Sequence, residues 1–142
     1  MPGGPESAAQ SSHAVNVLVV DDEVGYRDAL CKVLGRRGYR VGAAASGEEA
    51  LQLVAQQRWD VMVLDLKMPG LDGLATLELV RRVSAVTEVI MLTGHGSVDA
   101  GVQAMRREAF DFLLKPTSVE QLVAVIEAAA AKHRWEPAPQ PR

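Results

Sequence analysis

The sequence predicts a doubly wound α/β fold, with five parallel strands in one sheet covered on both faces by five helices. Three observations carry that expectation. Five short, mostly apolar runs recur along the 142-residue chain, at Asn16–Val20, Val41–Ala45, Val61–Leu64, Val89–Leu92 and Phe110–Leu114. Runs without polar alternation read as strands buried on both faces, the pattern of parallel sheets. Each run is followed by a stretch with apolar residues at helical spacing, so strand and helix alternate throughout, with right-handed crossovers. At 48% hydrophobic and 23% charged, a chain of this length can fill the core of one domain and is too short for two.

Residues 1–14 are rich in Gly, Pro, Ser and Ala without periodicity and read as a disordered tail. The first strand, Asn16–Val20, runs into Asp21, Asp22 and Glu23. Tyr26, Leu30, Val33 and Leu34 then recur at helical spacing, predicting a helix from about Val24 to Arg37 that Gly38 ends. Cys31 lies off that stripe and reads as an inert flank residue. Val41–Ala45 is small and short, as expected of an edge strand. Ser46 and Glu49 form a capping box that opens a second helix with Ala50, Leu51, Val54 and Ala55 inward, ending near Arg58. The third strand, Val61–Leu64, delivers Asp65, and Pro69-Gly70 turns the chain. Asp72 is the expected N-cap of a third helix reaching Val83, set by Leu74, Leu77, Val80 and Arg81. The fourth strand exits through Thr93-Gly94. Ser97 then caps a helix to about Arg107 whose apolar stripe, Val98, Val102 and Met105, is narrow and predicts weak anchoring. The fifth strand ends in Lys115-Pro116, and Thr117 with Glu120 reads as a capping box for a last helix with Leu122, Val123, Ile126 and Ala130 inward. The folded unit thus spans residues 15–134, and residues 135–142 read as a Pro-rich tail or linker stump.

Composition narrows the function classes. A net charge of −3 gives no basic footprint, so direct nucleic-acid binding by this chain is not expected. The single cysteine, Cys31, excludes an internal disulfide and suits a reducing cytoplasm. No segment approaches the ~20 apolar residues of a membrane span, and no signal-peptide pattern opens the chain. The expected protein is soluble and cytoplasmic. Gly94-His95-Gly96 lacks the further glycine of a dinucleotide fingerprint and the lysine of a phosphate-binding P-loop.

In a parallel sheet all carboxyl ends share one rim, where ligands of open α/β sheets bind. Asp21, Asp22, Asp65, Thr93 and Lys115 therefore converge. Taken alone, Asp65 could simply cap a turn. Convergence changes the reading, because neighbouring carboxylates repel and require neutralisation. Lys115 supplies one positive charge, and the remainder suits a hard, oxygen-ligated divalent cation, which describes Mg²⁺. Asp65 can then attack phosphorus as a carboxylate nucleophile. Phosphoryl transfer needs in-line positioning and charge neutralisation more than acid or base help. Mg²⁺ on Asp21, Asp22 and Asp65 serves one equatorial oxygen, Lys115 a second and the Thr93 hydroxyl a third. Backbone amides around Leu66 and Gly94 are further expected donors.

This constellation resembles the receiver domain of two-component response regulators, over roughly Asn16 to Arg134. The family's acidic pair falls on Asp21-Asp22, its phosphoacceptor on Asp65 in VLDLKMPGLDGL, its switch hydroxyl on Thr93 in MLTGHGS, and its lysine on Lys115 in FDFLLKP. The aromatic switch position falls on Phe112. The segments LTGHGSVDAGVQAM and AFDFLLKP are most similar to receivers that precede ATPase or helix-turn-helix output domains. The resemblance implies a flavodoxin-like (βα)5 fold of strand order 2-1-3-4-5. It also implies a phosphoprotein switch with no separate substrate, fed by a sensor histidine kinase or phosphotransfer protein. Phosphorylation of Asp65 would draw Thr93 inward, let Phe112 follow, and alter the surface of the fourth helix, fifth strand and fifth helix. That surface would meet a downstream protein or a second copy as a homodimer. By the same resemblance the Lys67 backbone carbonyl joins the metal ligands, and the Lys67 and His95 side chains tune dephosphorylation. Two positions depart from the pattern. Glu108 stands where relatives carry Gly, which predicts a shifted helix end, and Phe112 replaces a Tyr, which predicts switching by packing alone. His13, His133 and the pairs Arg36-Arg37, Arg81-Arg82 and Arg106-Arg107 read as solvated. Two rivals remain: a phosphorylation-independent adaptor, which the full acidic and lysine set argues against, and a haloacid-dehalogenase-like phosphatase, whose Asp-x-Asp signature Asp21-Asp22-Glu23 does not match.

Overall fold

Strands that carry apolar residues on both sides require cover on both faces, and the computed structural model supplies it over the described residues, 14–134. The predicted tails, with His13, lie outside these residues except for Ala14. The elements alternate as β1 (Asn16–Val20), α1 (Val24–Arg36), β2 (Arg40–Ala44), α2 (Gly47–Gln56), β3 (Val61–Leu64), α3 (Gly73–Val83), β4 (Glu88–Thr93), α4 (Val98–Arg106), β5 (Asp111–Leu114) and α5 (Val119–Arg134). All pairs are parallel in the flavodoxin-like order β2-β1-β3-β4-β5. Among the described residues no helix is long and apolar enough to cross a membrane.

Strand side chains alternate between two core layers. On one face Leu18, Met62, Leu64, Val89 and Met91 meet Ala50 and Val54 of α2, Leu77 and Val80 of α3, and Ala104 of α4. On the other, Val17, Val19, Val63, Ile90 and Leu92 meet Leu30 and Leu34 of α1 and Leu122, Ile126 and Ala129 of α5. Burying each large aliphatic side chain is worth about 1.5–3 kcal/mol, so these two layers hold the helices to the sheet. Cys31 packs partly buried against the second layer, and burial pushes its thiol up, consistent with an inert residue.

Several local expectations need correction. Ser118, not Thr117, caps α5: the Gln121 amide donates to Ser118 Oγ at 3.0 Å, while Thr117 bonds the Gln121 side chain. Ser118-x-x-Gln121 is an equally good box one residue later, and serine is the better N-cap. In the Ser46 box, the Glu49 carboxylate takes the Ala45 amide rather than that of Ser46. Val98, Val102 and Met105 do not face the core; they are 87%, 43% and 49% exposed, and Ala104 alone of α4 is buried. Weak anchoring of α4 follows all the more directly.

Arg81 and His133 are not solvated. Fully buried Glu88 opens β4, and its Oε2 lies 3.5 Å from Arg81 Nη1, 3.5 Å from Lys132 Nζ and within hydrogen-bond reach of His133 Nε2. Arg81 also donates to the Thr87 and Ala85 carbonyls. The α3–β4 loop folds back onto the Arg81 side chain at the strand start, and the last turn of α5 passes beside it. Sequence spacing within one helix carries no information about either approach.

The end of α4 is also different from expectation. Glu108 N–H bonds Met105 O and Ala109 N–H bonds Ala104 O, a Schellman pattern like the one Gly38 makes after α1. Gly38 takes φ of 97° at no steric cost, whereas Glu108 is forced to 68°. The helix end has not shifted; the side chain tolerates the strain instead. Glu108→Gly should therefore stabilise the fold by about 1 kcal/mol, seen as a higher urea midpoint with an unchanged slope. Glu88→Ala should cost about 3 kcal/mol in the same assay, because it removes the buried counter-charge of mostly buried Arg81 and leaves it only the exposed Glu108 carboxylate at 3.6 Å.

Candidate functional site

The backbone ladder runs beyond the apolar residues and fixes the polar strand ends. Asp21 N–H donates to Ala44 O at 3.1 Å, Asp65 N–H to Val20 O at 3.0 Å, and Lys115 N–H to Thr93 O at 2.9 Å. Asp21, Asp65 and Thr93 are consequently buried at the rim, while Asp22 stays exposed. Helix α3 abuts the same edge. Gly73 N–H donates to Leu66 O at 2.7 Å, and a Cβ at Gly73 would stand 2.3 Å from the Asp65 carbonyl oxygen, so this approach requires glycine.

Asp21, Asp22 and Asp65 each offer a carboxylate oxygen within 4.8 Å of the others. Lys115 Nζ donates to Asp21 Oδ2 at 2.8 Å, and the other Asp21 oxygen accepts the Glu23 amide at 2.9 Å. Burial pushes the Asp65 carboxyl above its ordinary value and the Asp21 charge adds to this, against the opposing Thr93 hydrogen bond, Lys115 charge and Leu66 amide. Burial alone would lower Lys115, but the hydrogen bond to Asp21 and the charges of Asp21 and Asp65 outweigh it, and the ammonium is held above its usual range. Lys115 is therefore a fixed positive charge in the rim.

Seven of the predicted residues come together here. The Thr93 hydroxyl acts on the Asp65 carboxyl, favouring its charged form, and Thr93 Oγ1 accepts the His95 amide at 3.0 Å. Asp22, Asp65, Lys67, His95 and Lys115 line one cleft of about 650 Å³, to which Glu23, Met68, Pro69 and Asp72 also contribute. The Leu66 amide, expected to be free for a ligand, is instead taken by Asp65 Oδ1 at 2.8 Å. A carboxylate one residue before an amide can fold back onto it, a local competition that the strand pattern does not reveal. Phe112 does not line the cleft. It lies half-buried on the α4 side, against Gly96 and Gly101, and borders a separate groove with Val98, Val102 and Met105.

Spacing placed Tyr26 on the inner stripe of the first helix, and it does pack against the α1/α5 layer. Its ring also lies against the site, with Lys115 Nζ 4.0 Å from the centroid. The available signal was its place in the first turn after Asp21-Asp22, which puts it at the same sheet edge.

Donor set, edge and topology can be compared with known proteins. The family model described as "Response regulator receiver domain" matches residues 17–127. The chain is 35% identical over 117 residues to Transcriptional regulatory protein ZraR of Escherichia coli K12, covering 82% of this chain and 26% of the relative. It is also 35% identical over 124 residues to the DNA-binding transcriptional regulator NtrC of the same strain, covering 87% and 26%. The chain thus spans about a quarter of the length of these curated relatives. Among solved structures, a response regulator receiver domain protein from Clostridium thermocellum superimposes with a TM-score of 0.80 at 32% identity, over 84% of this chain and 97% of that one. A response regulator from Burkholderia pseudomallei with a phosphorylated aspartic acid, a calcium ion and citrate gives 0.77 at 30% identity, over 84% and 71%. A β2-β1-β3-β4-β5 sheet with an acidic cluster and lysine at its carboxyl edge, together with a family match over most of the folded chain, makes this protein a member of the response regulator receiver domain family.

Proposed function

We propose that this chain is a phosphorylation switch whose acceptor is Asp65. The observation that carries the reading is the juxtaposition of the buried Asp65 carboxylate with those of Asp21 and Asp22 and with the Lys115 ammonium. The Asp21, Asp22 and Asp65 carboxylates offer hard oxygens at mutual distances compatible with one small ion, so they fit Mg²⁺; the family resemblance adds the Lys67 backbone carbonyl as a further ligand. When bound, the cation supplies neutralisation of negative charge on a phosphoryl oxygen. The phosphorylated aspartic acid and calcium ion in the Burkholderia relative support the same assignment.

Asp65 attacks phosphorus in line while the bond from phosphorus to the donor breaks, and the donor is released. The donor is the phosphohistidine of a sensor histidine kinase or phosphotransfer protein, or a small phosphodonor. Lys115 turns a donor toward one phosphoryl oxygen and Thr93 its hydroxyl toward another. For Thr93 this means turning from the Asp65 carboxylate to the new group, with Phe112 following into the space released. The element least held by the core, α4, then shifts with β5 and α5 and changes what the surface offers a downstream protein or a second copy. Lys67 and His95, exposed at the mouth of the cleft, regulate access of the water that ends the signal.

Mg²⁺-dependent labelling by acetyl phosphate or beryllofluoride should be strong in wild type and absent in Asp65→Asn; equal labelling would remove Asp65 from its role. Mg²⁺ at ten times its dissociation constant should add about 1.4 kcal/mol to the unfolding free energy. Without metal, Asp65→Asn should raise the melting temperature at pH 7. Because the folded-state value of Asp65 lies above its unfolded value, the carboxylate costs stability above the folded value and nothing below the unfolded one. The advantage of Asp65→Asn should therefore fade as pH drops toward about 4.

A further inference from the structure

The ammonium of Lys115 has two neighbours of different kinds. Asp21 Oδ2 accepts a hydrogen bond from it at 2.8 Å, and the face of Tyr26 lies 4.0 Å away, centroid to nitrogen. Tyr26 stands in the first turn of α1, half-buried, with the α1/α5 core layer behind it. Its position is itself held, because Arg27, the next residue, donates from its side chain to the Asp21 carbonyl at 2.8 Å and from its amide to the Glu23 carbonyl. The ring is thus a fixed wall beside a flexible side chain.

Lysine is a point charge with three donors on a four-carbon stem, so a single hydrogen bond leaves its nitrogen free to swing. The Asp21 contact is also one that must loosen when the ammonium serves a second anion. A ring face attracts the charge without occupying any N–H donor. It also adds no negative charge to a rim that already carries three carboxylates. Another carboxylate at this place would do both.

We propose that Tyr26 is a positioning residue whose ring face, through a cation–π contact, keeps the Lys115 ammonium at the rim while its donors pass from Asp21 to the incoming phosphoryl group. This rests on phosphoryl acceptance at Asp65. The requirement is for the ring and not for its hydroxyl, so phenylalanine preserves it and leucine, of comparable apolar character, removes it.

The test combines two double-mutant cycles on the whole chain. Initial rates of Mg²⁺-dependent labelling by acetyl phosphate are compared for wild type, Tyr26→Phe, Tyr26→Leu, Lys115→Met, Tyr26→Leu/Lys115→Met and Asp65→Asn. Urea midpoints are measured for the same proteins in metal-free buffer. Tyr26→Phe should label within about twofold of wild type, and Tyr26→Leu should be slower by roughly three- to thirtyfold. Tyr26→Leu should have no further effect on labelling once Lys115 is methionine, and the metal-free midpoints of Tyr26→Leu and Lys115→Met should be non-additive. Additive midpoints overturn the contact, even where the Lys115→Met rate is too slow to measure. Wild-type labelling by Tyr26→Leu, or equal slowing by Phe and Leu, overturns the positioning role alone, provided Asp65→Asn stays unlabelled. Equal labelling of Asp65→Asn and wild type instead overturns the phosphoacceptor reading and the proposal with it.

Discussion

At the carboxyl edge of the sheet, Lys115 Nζ lies 2.8 Å from Asp21 Oδ2 while Asp21, Asp22 and Asp65 hold oxygens within 4.8 Å of one another, so one ammonium faces three carboxylates. Such a cluster repels itself, and burial of Asp21 and Asp65 makes the repulsion less screened than at an open surface. Nothing in the rim relieves this fully. The sheet imposes it, because the ladder bonds of Asp21, Asp65 and Lys115 hold their backbones in register whatever the side chains prefer. Stability comes from the apolar layers above and below, and the rim is left with a standing demand for positive charge.

The opposite edge shows the reverse arrangement. There one buried carboxylate, Glu88, meets Arg81, Lys132 and His133, and this cluster joins β4, the end of α3 and the last turn of α5. An ion cluster of this kind is a weak source of net stability but is costly to break. Its structural effect is to tie α5 at the end remote from Lys115. Helix α4 is held by less: Ala104 is its buried residue, and Val98, Val102 and Met105 face outward. The pairs that join its end to α3, Arg107–Glu78 at 3.5 Å and Glu108–Arg81 at 3.6 Å, each involve an exposed carboxylate. The molecule therefore pairs a well-anchored half with a loosely held helix beside the groove that Phe112 borders.

Much of this was legible beforehand. Continuous apolar runs identified all the strands, and the abrupt acid, hydroxyl or lysine after them identified the rim, since parallel strands bring their carboxyl ends to one edge. Caps at Ser46, Asp72 and Ser97 were readable because a short polar side chain three residues before a helical amide is a local pattern. Other features were not readable. Ser118 and Thr117 offered overlapping boxes separated only by the small preference for serine at an N-cap, and the outward stripe of α4 has the same spacing as an inward one.

What the sequence by itself determined was the set of elements, their parallel order of delivery and the chemical inventory of the rim, because these follow from period, chain direction and residue type. Tertiary structure alone decided the pairings across distance: Tyr26 beneath Lys115, Glu88 among Arg81, Lys132 and His133, the Leu66 amide already claimed by Asp65, and Glu108 held at φ of 68°. Each of these depends on which helix is carried past which strand end, or on a backbone forced by its neighbours. Such contacts are set by packing of the two core layers, and no local pattern encodes them.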